Sequence, residues 1–445
     1  MIVGFFHPFC HAGGGGERVL WAAIRATQNN YPNAVCAVYT GDHEVDRFAM
    51  LKRVQDRFSI PLDTTRIVFI YVSHRRLVSP QLYPHFTLLL QSFGSIPLAY
   101  SALSLLVPDI FIDTMGYPFT YPFIKLLFGH KRVPVGAYVH YPTISTDMLD
   151  SLPSENASIK MKVKKQYWKM FSLMYRTCGS SVDVVMTNSS WTARHIRSLW
   201  PKETTSEAAP GGAKVVFPPC SVSEITSAIP ITNTPRQPYL LSIAQFRPEK
   251  RIDILIRAFA YFYKSLPASS PLKAKSRLVL LGSVRDDDDA KRVYELRLLA
   301  HELGVKEQVE FVLNAPWKAV LGWLGKSWVG VNAMWNEHFG IGVVEYLAAG
   351  LVGVVHDSGG PKEDIVVEGL GIKELTLKTG YHATDIPSFA SAFQKALSLP
   401  SKDVLALRKR AQASSARFSE EVFAKGWLEA MEDLVDLMPP RKKFF

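Results

Sequence analysis

The chain has 445 residues, 47% of them hydrophobic and 20% charged, with a formal net charge of +11. That is too long for one ordinary core and too apolar for a disordered protein, so two globular domains are expected. A basic balance favours anionic partners, namely phosphorylated ligands, nucleic acid or an anionic membrane surface, although a soluble basic enzyme fits the charge equally well. The four cysteines, Cys10, Cys36, Cys178 and Cys220, have no metal-ligand spacing and fit a reducing compartment rather than a disulfide framework.

No signal peptide opens the chain, because Met1 leads at once into an apolar run that reads as a first strand. Strands are expected over 2–6, 35–40, 67–72, 109–113, 133–139, 183–187 and 214–217, with helical patterns between them. Their β-branched, uninterrupted character suits a parallel sheet buried on both faces. The uncharged stretch 86–107 is long enough to span a bilayer, but Gln91, Gly94, Pro97 and its serines favour a buried or membrane-touching helix pair. Residues 159–176 place Lys160, Lys162, Lys164, Lys165, Lys169 and Arg176 among Trp, Tyr, Phe and Met, with no acid between. Such a helix can lie on an anionic bilayer or pack its apolar side into the core.

Residues 223–237 read as a linker, after which strands recur at 239–244, 278–282, 309–313, 328–334 and 351–356. The expected organisation is an N-terminal Rossmann-like domain over 1–222, a second over 238–420, and a C-terminal helix and tail over 421–445 that packs back on the first. Two doubly wound domains would then face each other across a cleft lined by strand C-termini, where open α/β sheets bind ligands.

Three strand-to-helix junctions of the second half carry candidate chemistry. In "WNEHFGIGVVEYLAAG", Gly340 and Gly342 flank a helix start whose amides suit a phosphate, while Glu337 and Glu345 can accept hydrogen bonds from sugar hydroxyls. In "SIAQFRPEKRIDIL", Arg247 and Lys250 can neutralise a diphosphate, and Arg251 reads as a solvated neighbour. Ser358-Gly359-Gly360-Pro361 is either a nucleotide contact or a tight turn.

In the first half, His140 ends a strand and can donate to a substrate hydroxyl or phosphate, an ordinary structural histidine being the alternative. Asp147 follows with weaker support. The run Gly13, Gly14, Gly15, Gly16 lies between the first strand and a helix starting near Glu17, and offers an amide cradle for an anion. It fits neither GxxxxGK[ST] nor GxGxxG, which argues against an NTPase or a dinucleotide enzyme. Asp286 to Asp289 contain an Asp-x-Asp, but open a helix and read as capping rather than metal-binding. The sequons at Asn156 and Asn188 would not meet the modifying enzyme in a cytosolic domain.

Together these residues resemble family 4 of the retaining glycosyltransferases, which have the GT-B fold. Glu337 and Glu345 match the family's E-x7-E motif, Arg247 and Lys250 its diphosphate-binding pair, Gly13 to Gly16 its N-domain glycine loop and His140 its N-domain histidine. "HPFCHAGGGGERVLWAAI" and "YVHYPTISTDML" are most similar to the eukaryotic GDP-mannose-dependent α-1,2-mannosyltransferases of dolichol-linked oligosaccharide synthesis. The resemblance runs from residue 2 to about residue 370.

It implies mannose transfer from GDP-mannose to a dolichol-diphosphate-linked oligosaccharide, at the cytoplasmic face of the endoplasmic reticulum membrane, adding the fourth and fifth mannoses. Glu337, Arg247, Lys250 and His140 would serve the reaction. Phe339, Gly340, Ile341, Gly342 and Glu345 would complete the donor site, Glu345 at the ribose. No cofactor or metal is implied, and other mannosyltransferases of the pathway are implied as partners. The family's N-terminal hydrophobic anchor is expected to be missing or removed here. Another nucleotide-sugar GT-B enzyme, or a noncatalytic subunit of a mannosyltransferase assembly, are the alternatives; no nucleic-acid module is recognisable.

Overall fold

The computed structural model describes residues 1–129, 133–145, 147–148, 159–200, 212–232, 235–366 and 378–440. They form two compact units, Met1–Pro219 with Glu421–Phe445, and Cys220–Glu420. The Asn156 sequon lies outside the described residues.

In the first unit the strands are β1 Ile2–Phe6, β2 Val35–Thr40, β3 Ile67–Tyr71, β4 Ile110–Asp113, β5 Val135–Val139, β6 Val184–Thr187 and β7 Lys214–Val215. They lie in the order 3-2-1-4-5-6-7, all parallel. The period of two along β1 explains the core: Val3 and Phe5 enter one cluster with Trp21, Ile24 and Trp427, and Phe6 enters the other with Tyr39, Leu98 and Phe111. Helices cover both faces, so the strands carry apolar residues without alternation. The last helix, Glu420–Asp436, belongs to this unit. Its Trp427 stacks on Phe5 at 6.1 Å and donates from Nε1 to Thr27 Oγ1 at 3.0 Å.

In the second unit the strands are β8 Gln237–Ile243, β9 Arg277–Gly282, β10 Val309–Leu313, β11 Ser327–Asn332, β12 Val352–His356 and β13 Gly380–Ala383, in the order 10-9-8-11-12-13 and again all parallel. In each sheet the order reverses at the central pair, β1 beside β4 and β8 beside β11. Loops leaving such a pair in opposite directions open a crevice at the strand C-termini.

Three features differ from expectation. Residues 86–107 hold one helix, Thr87–Leu105, not a pair. Pro97 is accommodated inside it, and Gly94 serves close approach, since a Cβ there would lie 2.1 Å from Leu77 O. This helix is long and apolar enough to cross a membrane, and it is partly buried within the first unit. The stretch read as a linker begins with a short helix, Val222–Ala228, because Val222, Ile225 and Ile229 recur at helical spacing and are buried. Finally, β13 was not anticipated, because Gly-Tyr-His-Ala carries no β-branched signal.

Candidate active site

In the second unit the sheet places two charged loops side by side. After β8 the chain turns through Arg247 into a short 3-10 turn, Pro248–Lys250. After β11 it runs through Asn332 and Met334 to Glu337. Adjacency of these strands brings Lys250 Nζ to 2.7 Å from Glu337 Oε2. The same oxygen accepts from Asn332 Nδ2 at 3.3 Å, and Asn332 Oδ1 in turn accepts from Met334 N at 3.0 Å. Burial pushes the Glu337 carboxyl up, but the ammonium of Lys250 and its hydrogen bond, with His338 and Asn332, outweigh burial and leave it below its ordinary value. It is therefore a carboxylate at neutral pH. Arg247 is at the same strand end but more exposed, 3.8 Å from Glu249. It does not join the Lys250–Glu337 cluster.

The Glu337 loop is held from behind by glycine. Ser358 Oγ accepts from Asn336 N at 2.8 Å, and Gly360 N donates to Glu337 O at 2.8 Å. Gly359 has φ +68°, and a Cβ there would stand 2.3 Å from Glu337 O. The Ser358-Gly359-Gly360-Pro361 turn thus packs against the backbone that presents Glu337. Gly340, with φ +105°, caps the helix Ile341–Ala348, leaving the amides of Ile341 and Gly342 without intrahelical partners. Gly342 lets this helix approach β8, since a Cβ would lie 3.1 Å from Ile243 O. Phe339 is buried edge-on against Phe418 at 5.5 Å, and Glu345 is buried within the helix.

The first unit builds a different site at the equivalent strand ends. The helix begins at Gly15, earlier than expected, with Gly14 as its cap. Only Gly13 of the glycines in this loop has a left-handed backbone, with φ +79°. Glu17 reaches back to accept from Gly14 N at 2.5 Å. Arg53 and Arg57 hold the loop's carbonyls, donating to Ala12 O at 3.3 Å and Gly13 O at 3.2 Å. His140, at the end of β5, donates from Nε2 to Thr114 O at 3.1 Å, because a carbonyl only accepts. A Cβ on Gly16 would lie 3.6 Å from that same Nε2, so His140 and the glycine run are neighbours. Asp147 lies elsewhere, 3.7 Å from His195 Nε2.

Sequence reasoning missed His7. It follows β1 and is fully buried, with Nδ1 2.7 Å from Thr114 Oγ1 and Nε2 3.5 Å from Glu17 Oε1. The available signal was a polar residue immediately beyond a buried strand's C-terminus. Burial raises the Glu17 carboxyl, and His7 with the Gly14 amide more than offsets it.

The remaining motifs are structural. Asp286 caps the helix Asp287–Glu302, accepting from Asp289 N at 2.9 Å, and Asp289 pairs with Arg285 at 3.2 Å. Asn188 is buried, and its Oδ1 accepts from Thr192 Oγ1 at 2.7 Å.

The family model described as ALG11 mannosyltransferase N-terminus matches residues 1–200, and that described as Glycosyl transferases group 1 matches residues 226–415. The GDP-Man:Man(3)GlcNAc(2)-PP-Dol alpha-1,2-mannosyltransferase of Neurospora crassa is 53% identical, covering 99% of this chain and 81% of its own. The Homo sapiens protein of the same name is 44% identical, covering 98% and 87%. Among solved structures, the sucrose-phosphate synthase of Thermosynechococcus elongatus aligns with a TM-score of 0.66 at 15% identity, over 98% of this chain and 99% of that one. A Burkholderia multivorans trehalose 6-phosphate synthase gives 0.68 at 13% identity, over 98% and 99%. At such identities the structures speak to the fold alone, which is GT-B, with two Rossmann-like units. The chain belongs to the family of GDP-Man:Man(3)GlcNAc(2)-PP-Dol alpha-1,2-mannosyltransferases, which are glycosyltransferases.

Proposed function

We propose that this chain moves mannose from GDP-mannose to a dolichol-diphosphate-linked oligosaccharide with retention at the anomeric carbon, forming α-1,2 linkages and adding the fourth and fifth mannoses. The observation that carries the reading is the Lys250–Glu337 pair at the β8 and β11 ends, beside the amides of Ile341 and Gly342. The hydrogen bonds to the Glu337 carboxylate from Lys250 and Asn332 both fall on Oε2, and Oε1 accepts none among the described residues. Oε1 is the atom offered to the hydroxyls of the hexose. Lys250, Arg247 and the two amides meet the diphosphate and stabilise the charge that develops as it departs. Glu345 serves the ribose.

In the first unit, His140 orients the acceptor or the reacting hexose, and the glycine loop leaves space and amides beside it. Retention follows from attack by the acceptor hydroxyl on the face the phosphate leaves, the phosphate oxygen taking the proton. Because cationic side chains neutralise the leaving group, transfer is expected to persist in EDTA.

The proposed location of the reaction is the cytoplasmic face of the endoplasmic reticulum membrane, a reading supported by the lipid-linked acceptor named for the relatives. Within the first unit, the helix Ile159–Gly179 buries Phe171 and Tyr175 but leaves Met170 and Leu173 exposed, and Phe86, Phe93 and Leu126 are exposed on neighbouring helices. Lys162, Lys164, Lys165 and Lys169 on that helix would each add about 1 kcal/mol at an anionic surface. Co-sedimentation with phosphatidylserine vesicles, lost in high salt, is the expected behaviour; no binding would refute the membrane contact.

The experiment for the reaction itself is incubation with GDP-mannose and a synthetic trimannosyl acceptor on a lipid diphosphate, followed by mass spectrometry. Addition of two hexoses is expected. No addition, with GDP-mannose left intact, would overturn the reading.

A further inference from the structure

His7 lies at the centre of a chain of contacts that joins three separate parts of the first unit. Its Nδ1 is 2.7 Å from the Thr114 hydroxyl at the end of β4. Its Nε2 faces the Glu17 carboxylate at 3.5 Å, and Glu17 holds the Gly14 amide at 2.5 Å. Thr114 then offers its carbonyl to His140 Nε2 at 3.1 Å. The imidazole is fully buried, so these contacts are made without competition from water. The direction of the His7–Thr114 hydrogen bond follows the ring tautomer: with the proton on Nε2, facing Glu17, Nδ1 accepts from the Thr114 hydroxyl, and with the proton on Nδ1 the hydroxyl accepts it and donates to Phe6 O at 3.4 Å. Thr114 is therefore grasped at its side chain by His7 and at its backbone by His140. Glu17 faces His7 Nε2 with Oε1 at 3.5 Å, a charge contact longer than a hydrogen bond, while its Oε2 fixes the cap of the glycine loop.

We propose that His7 is a positioning residue for sugar transfer, tying Thr114 to Glu17 so that the His140 ring and the Gly13–Gly16 loop keep one fixed mutual geometry. The proposal rests on the transfer reading above and adds to it a residue that touches neither donor nor acceptor. Two reacting partners must be held close to attack geometry, and small displacements of positioning groups lower turnover steeply. The loss should therefore fall on kcat rather than on donor affinity, which the second unit supplies through Lys250 and Glu337.

The test compares His7→Ala, Thr114→Val, Thr114→Ser and the His7→Ala/Thr114→Val double variant. Thr114→Val removes the hydroxyl and keeps both the shape and the carbonyl. It carries the test if His7→Ala does not fold. His7→Ala and Thr114→Val are each expected to lower kcat about tenfold or more, with KM for GDP-mannose within about twofold. The double variant should fall no further than the worse single, because both break one connection. Thr114→Ser should stay within about threefold of the parent, since it restores the hydroxyl. Amide hydrogen exchange over residues 12–18 should quicken in both damaging variants. Unchanged kcat, multiplying losses, or KM rising as kcat falls would overturn the proposal. If the parent protein transfers no mannose, the transfer reading fails. The exchange measurement still judges the tie alone, and unchanged exchange in both variants would refute it.

Discussion

The two units put unlike chemistry at like positions. Each sheet reverses order beside its central strand, and each turns its first loop and its fourth-strand loop towards that point. In the second unit the result is a carboxylate and an ammonium 2.7 Å apart, partly exposed, with a helix start beside them. In the first it is a buried imidazole, backbone amides and a glycine run, with Glu17 behind the loop, Arg53 and Arg57 on its carbonyls and Asp42 on the His11 amide. The same topology serves once to hold charge and once to leave room. A diphosphate needs the former, and a hexose meeting a hydroxyl needs the latter.

That contrast can be broken at its strongest point first. Lys250→Ala removes the cation proposed to meet the leaving phosphate and should lower kcat/KM by about 10²–10³. Activity within about threefold of the parent would remove Lys250 from the reaction. Gly359→Ala comes next. Its Cβ would stand 2.3 Å from Glu337 O at a backbone of φ +68°, so the Glu337 loop must move. Misplacement on this scale costs about 10²-fold in turnover. A crystal structure of the variant with Glu337 unmoved, or normal turnover, would contradict that account.

The third prediction concerns pH. Glu337 sits below its ordinary value in the folded protein, so the stability it contributes is present above the unfolded carboxyl's pKa and is lost as pH falls through the lowered one. Lys250→Met removes the principal downward influences and leaves burial to raise the carboxyl. The acid limb of both the kcat/KM profile and the unfolding midpoint should shift to higher pH, and an unshifted limb would show that Lys250 does not control Glu337. The smallest effect expected is that of Ser189→Ala. Ser189 caps the helix Ser190–Leu199 through Thr192 N at 3.0 Å, and losing such a cap costs about 1 kcal/mol. Denaturant unfolding should register that cost with KM and kcat intact, which separates general loosening of the first unit from the specific losses above.

Much of this was legible in the sequence because strands buried on both faces announce themselves as apolar runs. Phe6, Thr40 and Asp113 end β1, β2 and β4 where the apolar runs 2–6, 35–40 and 109–113 end. Lys250 and Glu337 could be proposed because polar residues directly after such runs fall at strand C-termini. Their mutual contact was hidden, since it depends on β8 lying beside β11 across 87 residues of chain. His7 was hidden for the same reason: its partner Thr114 is 107 residues away. Local composition also misled. Gly94 and Pro97 suggested a break in 86–107, whereas Gly94 makes room for the Leu77 carbonyl within one continuous helix. The glycines at 359–360 looked like a ligand loop or a simple turn, and are required by the backbone of Glu337 packed against them.

The division of labour between the two units is tested most directly by titrating GDP calorimetrically into the parent, Lys250→Ala and His140→Ala, alongside their turnover. Lys250→Ala is expected to lose GDP affinity and turnover together. His140→Ala should keep GDP affinity within about twofold while turnover drops by about 10² or more. GDP affinity lost equally in both variants would contradict that division of labour.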